Sequence, residues 1–578
     1  MISKTSALLL SFIALCYGSF AQEKYPTAFE NSGGLETATY EEVIDFYNNL
    51  AEDYESIKVL TKGPTDSGEP LHLVIYDPNG DFEPVQWKKE QRLVVLVNNG
   101  IHPGEPAGID ASMMYLRDVA SGKLELPASV VLAFVPVYNI GGHLNRNNTT
   151  RVNQVGPEKY GFRGNARNYD LNRDFIKTDS QNSASFQEIF QSLMPHVFID
   201  THTSNGADYQ HVMTLIETQH NMLGGQAGKL MHDRLSPLLF EKMDAVGYPM
   251  VPYVNVWGGV PEDGWKQFKD SPRYSSGYAS LFHTISYVPE AHMLKSYQQR
   301  VEATYSLLEA FGAAYTVLGD ELVNAVEQDR AQAGAQQEFG LNYSIDENIS
   351  VKIPFKGYKS GYKPSEISGL DRLYYDRNEP FETEVDFYDS YFPELKIQKP
   401  AYYIIGQAWK EVIANLQRNQ VKMKVLENDT LIKVNAYYIE DFETRDMPYE
   451  GHYLHSSIQV RSASQVMAFR KGDLLIPTDQ QAIGYIIEVL EPQGEDSFFA
   501  WNYFDAILQS KEGFSPYVFE DLAANYLAQN PGLKEVLEQK KASDPDFAAD
   551  GYAQLSWVYQ HSPWREREYR RYPVVRID

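Results

Sequence analysis

Three short stretches carry residue types that could do hydrolytic chemistry together. The first is His102-Pro103-Gly104-Glu105, which places an imidazole and a carboxylate on one turn. The second is His202, directly after the apolar run VFIDT at 197–201. The third is Glu290, which follows ISYVP at 285–289. Two histidines and a glutamate make a donor set known from catalytic zinc sites, which keep a fourth position open for water or substrate. A further carboxylate nearby could take a proton from that water. Taken singly, each residue has a blander explanation. HxxE is a short and common pattern, a histidine at a strand end is usually satisfied locally, and a lone glutamate is usually a surface or capping group. The joint arrangement at three strand ends is the informative observation.

That arrangement needs a sheet to assemble it. Residues 92–100 (RLVVLVNNG), 129–137 (SVVLAFVPV), 197–201 and 285–288 read as strands, the first two as continuous apolar runs of the kind buried on both faces. Helical spacing appears at 106–119, 183–193 and 294–318. Alternating strands and helices predict an α/β fold with a mixed, mainly parallel sheet flanked by helices. Ligands in such sheets bind beyond the carboxyl ends of strands, where the three stretches lie. Of the competing histidines, His196 precedes its strand and belongs to the opposite edge. His211 and His283 have no partner in the pattern, and His292, two residues past Glu290, is a neighbour of the site at most.

The stretch NARNYDLNRDF at 165–175 adds Asp170, Asn172 and Arg173. An arginine beside an asparagine suits two-pronged recognition of a carboxylate. In order, HPGE, VPVYNIGG, DLNRDF, FIDTH and VPEAHM resemble the zinc carboxypeptidase family, the M14 metallopeptidases, over roughly residues 40–315. The resemblance implies one zinc per chain on His102, Glu105 and His202, with Glu290 as general base. It implies Asn172 and Arg173 as the clamp on a substrate's C-terminal carboxylate, and Asp170 as the carboxylate orienting the first histidine. It also implies an arginine that polarises the scissile carbonyl, for which Arg151 is the candidate and Arg146 the alternative. A mobile tyrosine is implied too, with Tyr274 and Tyr278 in the right region and Tyr278 the expected substrate contact. Two departures set the chain in a divergent branch: Pro103-Gly104 stands where many digestive members carry an arginine before the glutamate, and VYNIGG replaces the usual Asn-Pro-Asp-Gly. The activity so implied is hydrolysis of the last peptide bond of peptides with a free C-terminus. The rival readings are a zinc amidohydrolase or deacylase, a cell-wall peptide hydrolase, and an inactive peptide-binding protein.

The rest of the chain bounds the context. At 578 residues it is long enough for two or three domains. The formal net charge of −27 repels phosphate backbones and anionic lipid, which argues against a nucleic-acid partner. Residues 1–21 read as a signal peptide: Lys4, an apolar stretch ALLLSFIALC at 7–16, and Ser19-Phe20-Ala21 before the cut. Export to the periplasm or the extracellular space follows, with no stable membrane span afterwards. An acylated Cys16 is an alternative that bulky Leu15 argues against. Cys16 is the sole cysteine, so the mature chain would hold no disulfide and no thiolate site. The expected organisation is a signal peptide at 1–21, a catalytic domain at 22–330, a polar connection at 331–340 and a C-terminal accessory domain at 341–578. In that last domain, strands are expected at 401–405, 421–426 and 472–477 and helices at 408–418, 480–489 and 514–541, giving an α/β or α+β unit. Its aromatic residues suggest that it packs on the catalytic domain and shapes access to the cleft. His452 and His455 lack a third partner and read as structural. Glu262 is the fallback base.

Overall fold

The computed structural model describes residues 24–578; the signal peptide expected at 1–21 lies outside the described residues. The core is a nine-stranded mixed sheet. Its strands are β1 (Ile57–Pro64), β2 (Pro70–Tyr76), β3 (Leu93–Asn98), β4 (Val130–Val135), β5 (Val197–Asp200), β6 (His202–Ser204), β7 (Met213–Glu217), β8 (Val251–Pro252) and β10 (Ile285–His292). The spatial order is β1-β2-β4-β3-β5-β10-β7-β8, with β6 continuing the line of β5 alongside β10. The centre, β4-β3-β5-β10, is parallel. β1 and β2 run antiparallel to their neighbours, and β7 runs antiparallel to β10 and parallel to β8. Every residue of β3, β4 and β5 is buried, as their largely Val/Leu/Ile/Phe content requires when helices cover both faces.

Helices Ala107–Ala120 and Tyr297–Gln332 cover one face, and Gln181–Leu193 covers the other. Their ends are specified locally. Ser180 caps Gln181–Leu193 by accepting from the Ser183 amide, and Ser296 with Gln299 forms a reciprocal capping box on Tyr297–Gln332. At the end of β3 the chain turns through Gly100 at φ +68°, a conformation open to glycine at little cost, and so delivers His102 to the sheet edge.

The stretch expected as a polar connection, 331–340, holds the last helical residues to Gln332, a short 3-10 turn and the start of β11 at Glu338. The long helix leading into it buries Leu322, Val323, Val326 and Arg330.

The C-terminal part is α+β. β11 (Glu338–Ile345) pairs with β14 (Tyr391–Gln398), and β12 (Val351–Pro364) with β13 (Asp371–Tyr388) forms a long hairpin that also joins β9 (Trp265–Lys266). A six-stranded sheet orders as β16-β19-β15-β20-β17-β18, from Lys424–Val425, Leu474–Pro477, Tyr402–Ile405, Val574–Ile577, Thr430–Thr444 and His455–Phe469. The two halves are not separate bodies packed through a polar rim. One apolar cluster contains Phe186, Phe190 and Phe198 from the N-terminal half together with Tyr403, Tyr485 and Trp501 from the C-terminal half.

Candidate active site

The sheet edge brings the predicted residues together. β10 runs parallel to β6 with Glu290 in register with His202, so ligand and base candidate are side-by-side neighbours on adjacent strands. His102 and Glu105 arrive from the turn after β3. Gly104 is required in that turn, because a Cβ there would lie 2.6 Å from Arg151 Cδ.

His102 Nδ1 lies 3.4 Å from Glu105 Oε1, and His202 Nδ1 lies 3.1 Å from Glu105 Oε2. One donor atom from each of the three residues falls within 4.8 Å of the others, all three residues being buried. Each imidazole presents its other nitrogen to a carboxylate: His102 Nε2 to Asp170 Oδ1 at 2.8 Å and His202 Nε2 to Asp200 Oδ2 at 3.1 Å. That pairing fixes ring orientation and tautomer and makes Nδ1 the free electron pair on both rings. The set therefore fits a divalent metal ion through two Nδ1 atoms and the Glu105 carboxylate. Asp170, the predicted orienting residue, is where it was expected. Asp200, its counterpart for His202, was not anticipated, although it stands two residues before the ligand in FIDTH.

Charges follow from this packing. Burial raises the Glu105 pKa, but the Arg151 and His102 charges outweigh it and hold the group well below the usual carboxylate range. Burial is likewise overcome at Asp170 by His102 and Arg163. Glu290 goes the other way: burial, together with the Glu105 charge and against the pull of His202, lifts it to about 8 in the metal-free protein. A bound dication beside it would bring that value down and leave a carboxylate near neutrality, as a general base requires.

These groups line a cleft of about 480 Å³ with Asn172, Arg173, Tyr253, Asn255, Trp257, Phe268 and Tyr274 among its walls. Its lining residues all fall between 102 and 293, so the C-terminal half supports the cleft from behind. Asn172 caps the space beside His202, with Nδ2 at 3.5 Å from Nε2, and its Oδ1 accepts from the Ser275 amide. The Arg173 guanidinium lies 4.3 Å over the Tyr274 ring and donates through Nε to Tyr449 Oη at 3.0 Å. The Asp170 amide donates to Glu450 at 2.8 Å. Both supports come from the C-terminal half.

Four expectations need correction. Tyr278 is fully buried among Phe175, Phe190 and Phe282 and donates to Asn419 Oδ1 at 2.6 Å, so it cannot contact substrate; Tyr274, one turn earlier, faces the cleft. Arg146 binds the backbone carbonyls of Thr37, Ala38 and Lys159, a structural role. Arg151 is at the site but committed: it donates to Glu105 Oε1, Gln154 Oε1 and the Thr203 carbonyl. Arg163, which sequence reasoning passed over, is 45% exposed against 15% for Arg151; it donates through Nε to Asp170 Oδ2 at 2.9 Å, and its Nη1 lies 3.3 Å from His102 Nδ1. Glu262 accepts from Ser360 and is not among the cleft residues, which removes the fallback base. His292 stacks on Tyr209 at 4.2 Å, away from the cleft. His452 and His455 pair with Asp179 and Asp505.

A parallel α/β edge carrying a His-Glu-His set, a cross-strand carboxylate and an Asn-Arg pair defines the site as one suited to metal-assisted hydrolysis. No family model matches the chain. Among curated proteins it is similar to "Carboxypeptidase 2" of Trichophyton rubrum, 21% identical over 438 residues that cover 72% of this chain and 74% of that one. "Probable carboxypeptidase 2" of Arthroderma benhamiae is 27% identical over 433 residues, covering 71% and 76%. The resemblance read from the motifs thus extends to proteins of that name across most of the chain. Among solved structures, a metallo-carboxypeptidase from Burkholderia cenocepacia aligns at 14% identity and TM-score 0.37, over 49% of this chain and 70% of its own. Carboxypeptidase A from Helicoverpa armigera aligns at 14% and 0.38, over 50% and 74%.

Proposed function

We propose that the protein is an exported zinc-dependent carboxypeptidase that removes C-terminal residues from peptides. The observation that carries the reading is the convergence of His102, Glu105 and His202 with Glu290 in register beside His202. The named relatives support the same reading. Export rests on the signal-like leader; no helix among the described residues is long and apolar enough to cross a membrane.

His102 and His202 would hold zinc through Nδ1, with Glu105 as third ligand and Asp170 and Asp200 fixing the rings. When bound, zinc supplies a Lewis acid that lowers the pKa of water and polarises a carbonyl. Glu290 takes the proton from the attacking water and returns it to the leaving amine. Arg163, the more open guanidinium at the site, stabilises the developing oxyanion. Arg173 and Asn172 receive the terminal carboxylate, which confines cleavage to the last peptide bond. Arg151 keeps Glu105 ionised and oriented.

The test is mass spectrometry of products from matched peptides bearing free or amidated C-termini. Loss of single C-terminal residues from the free-acid set alone is expected. Internal cleavage, or equal turnover of amides, would overturn the carboxypeptidase assignment. Release of N-acyl groups would move the enzyme to the deacylase class.

A further inference from the structure

A second group of two histidines and a glutamate lies outside the cleft. Glu217 ends β7, His220 opens the short helix His220–Leu223, and His232 sits in a single π-helical turn, Met231–Leu235.

 One donor atom from each of the three lies within 4.8 Å of the others. His232 Nδ1 is 2.7 Å from Glu217 Oε1, and its Nε2 is 3.9 Å from Asp389 Oδ2, a buried carboxylate in the turn between β13 and β14. The His220 and His232 rings stack at 4.0 Å.

Two observations point to a ligand here. His220 Nδ1 is buried and has no hydrogen-bond partner. Glu217, which accepts from the Ser236 hydroxyl, and Asp389 meet no lysine or arginine among the described residues. An imidazole with an unpartnered nitrogen, a second imidazole stacked on it and the Glu217 carboxylate form a donor set for a zinc-type ion. Tetrahedral zinc with donors at about 2.0–2.1 Å needs them roughly 3.3 Å apart. Small side-chain rotations close the difference.

We propose that Glu217, His220 and His232 bind a second zinc-type ion, with Asp389 behind the far nitrogen of His232. The site is distinct from the cleft. Tyr287 opposes Glu217 on β10, three residues before Glu290, which is roughly 10 Å along a strand. Its ion ties the end of β7 to the helix that His220 opens and to the π-helical turn.

The experiment measures zinc per folded full-length chain by elemental analysis after equilibration with buffered zinc, with circular dichroism on each sample. Wild type is expected to hold two ions. The His220→Ala/His232→Ala variant is expected to hold one, and so is the His102→Ala/His202→Ala variant. Zinc is expected to raise the melting temperature of the latter. A wild type holding one ion that the His102→Ala/His202→Ala variant loses entirely would overturn the proposal. So would a His220→Ala/His232→Ala variant that keeps two. If that double variant does not fold, His220→Gln, at a half-buried position, replaces it, with a loss of one ion expected and retention of both contrary. A cleft that binds no zinc while the second cluster does would instead count against the cleft assignment.

Discussion

The two His-Glu-His clusters have the same composition and stand on either side of β10, one at β6 and the other at β7, yet they differ in what surrounds them. In the cleft, both imidazoles are buried and each is backed by a carboxylate, Asp170 or Asp200. Glu290 stands beside them and a cavity opens in front. At the second cluster the imidazoles are half-exposed and stack on each other, Asp389 lies behind His232 alone, and the cavity beside it is lined mainly by apolar residues. Composition alone defines a metal site. The paired backing carboxylates and the base separate catalysis from plain binding.

The largest effect expected from this difference is at the ligands themselves. His202→Ala should abolish hydrolysis and remove the cleft ion, whereas His232→Ala should leave hydrolysis measurable. Parallel assays of peptide turnover and zinc content check both. A hydrolytically competent His202→Ala variant would erase the distinction between the clusters.

Next in size is the base. Glu290→Gln keeps the shape of the side chain but cannot accept a proton. A fall of about 10²–10⁴-fold in kcat is expected, with zinc content unchanged. No residue of the second cluster has a counterpart whose replacement should do this. Near-normal turnover in the variant would show that some other group takes the proton.

Asp200→Asn probes the backing directly. An amide can still meet the His202 ring but no longer raises its basicity by charge. Zinc affinity at the cleft should weaken by about 10–100-fold, read by competition with a chromogenic chelator. Unchanged affinity would mean that the Asp200 contact orients the ring without tuning it.

How much of this was legible in the sequence follows from burial. β3, β4 and β5 are buried on both faces, so their apolar runs mark themselves, and the residues just after them mark the sheet edge. His102, Glu105, His202 and Glu290 could therefore be placed together from their positions after those runs. The β12–β13 hairpin carries alternating Val351, Ile353 and Phe355 and again Phe381, Val385 and Phe387, but the exposed, polar tip between them interrupts the signal, and the pairing was missed. Arg163 and Asp200 escaped because their value lies in contacts made only after folding. The choice between Tyr274 and Tyr278 depended on how the helix Ser275–Ser280 packs against an aromatic cluster partly supplied by the C-terminal half. The second cluster was missed for a related reason: Glu217 ends a strand, while His220 and His232 sit on short helical segments with no periodic signal.

The smallest effect concerns how the C-terminal half supports the cleft. Arg173 Nε donates to Tyr449 Oη at 3.0 Å, and the Tyr449 ring is itself held by stacking with Trp501 at 6.1 Å between centroids. Tyr449→Phe removes the acceptor while leaving the ring in place. Arg173 keeps its charge, its contact with the Tyr274 face and its bond to the Asn172 carbonyl. The lost bond is one to a charged group, and water at this partly exposed side chain replaces some of it, so a net cost of about 1 kcal/mol is expected. That corresponds to a rise of about fivefold in KM with kcat nearly unchanged, because the clamp binds ground state and transition state alike. The split matters more than the size. A fall in kcat with KM unchanged would place Tyr449 in the chemistry rather than behind the clamp. No change in either would show that Arg173 is held by Tyr274 and Asn172 alone, and that the C-terminal half supports the cleft only through the shared apolar core.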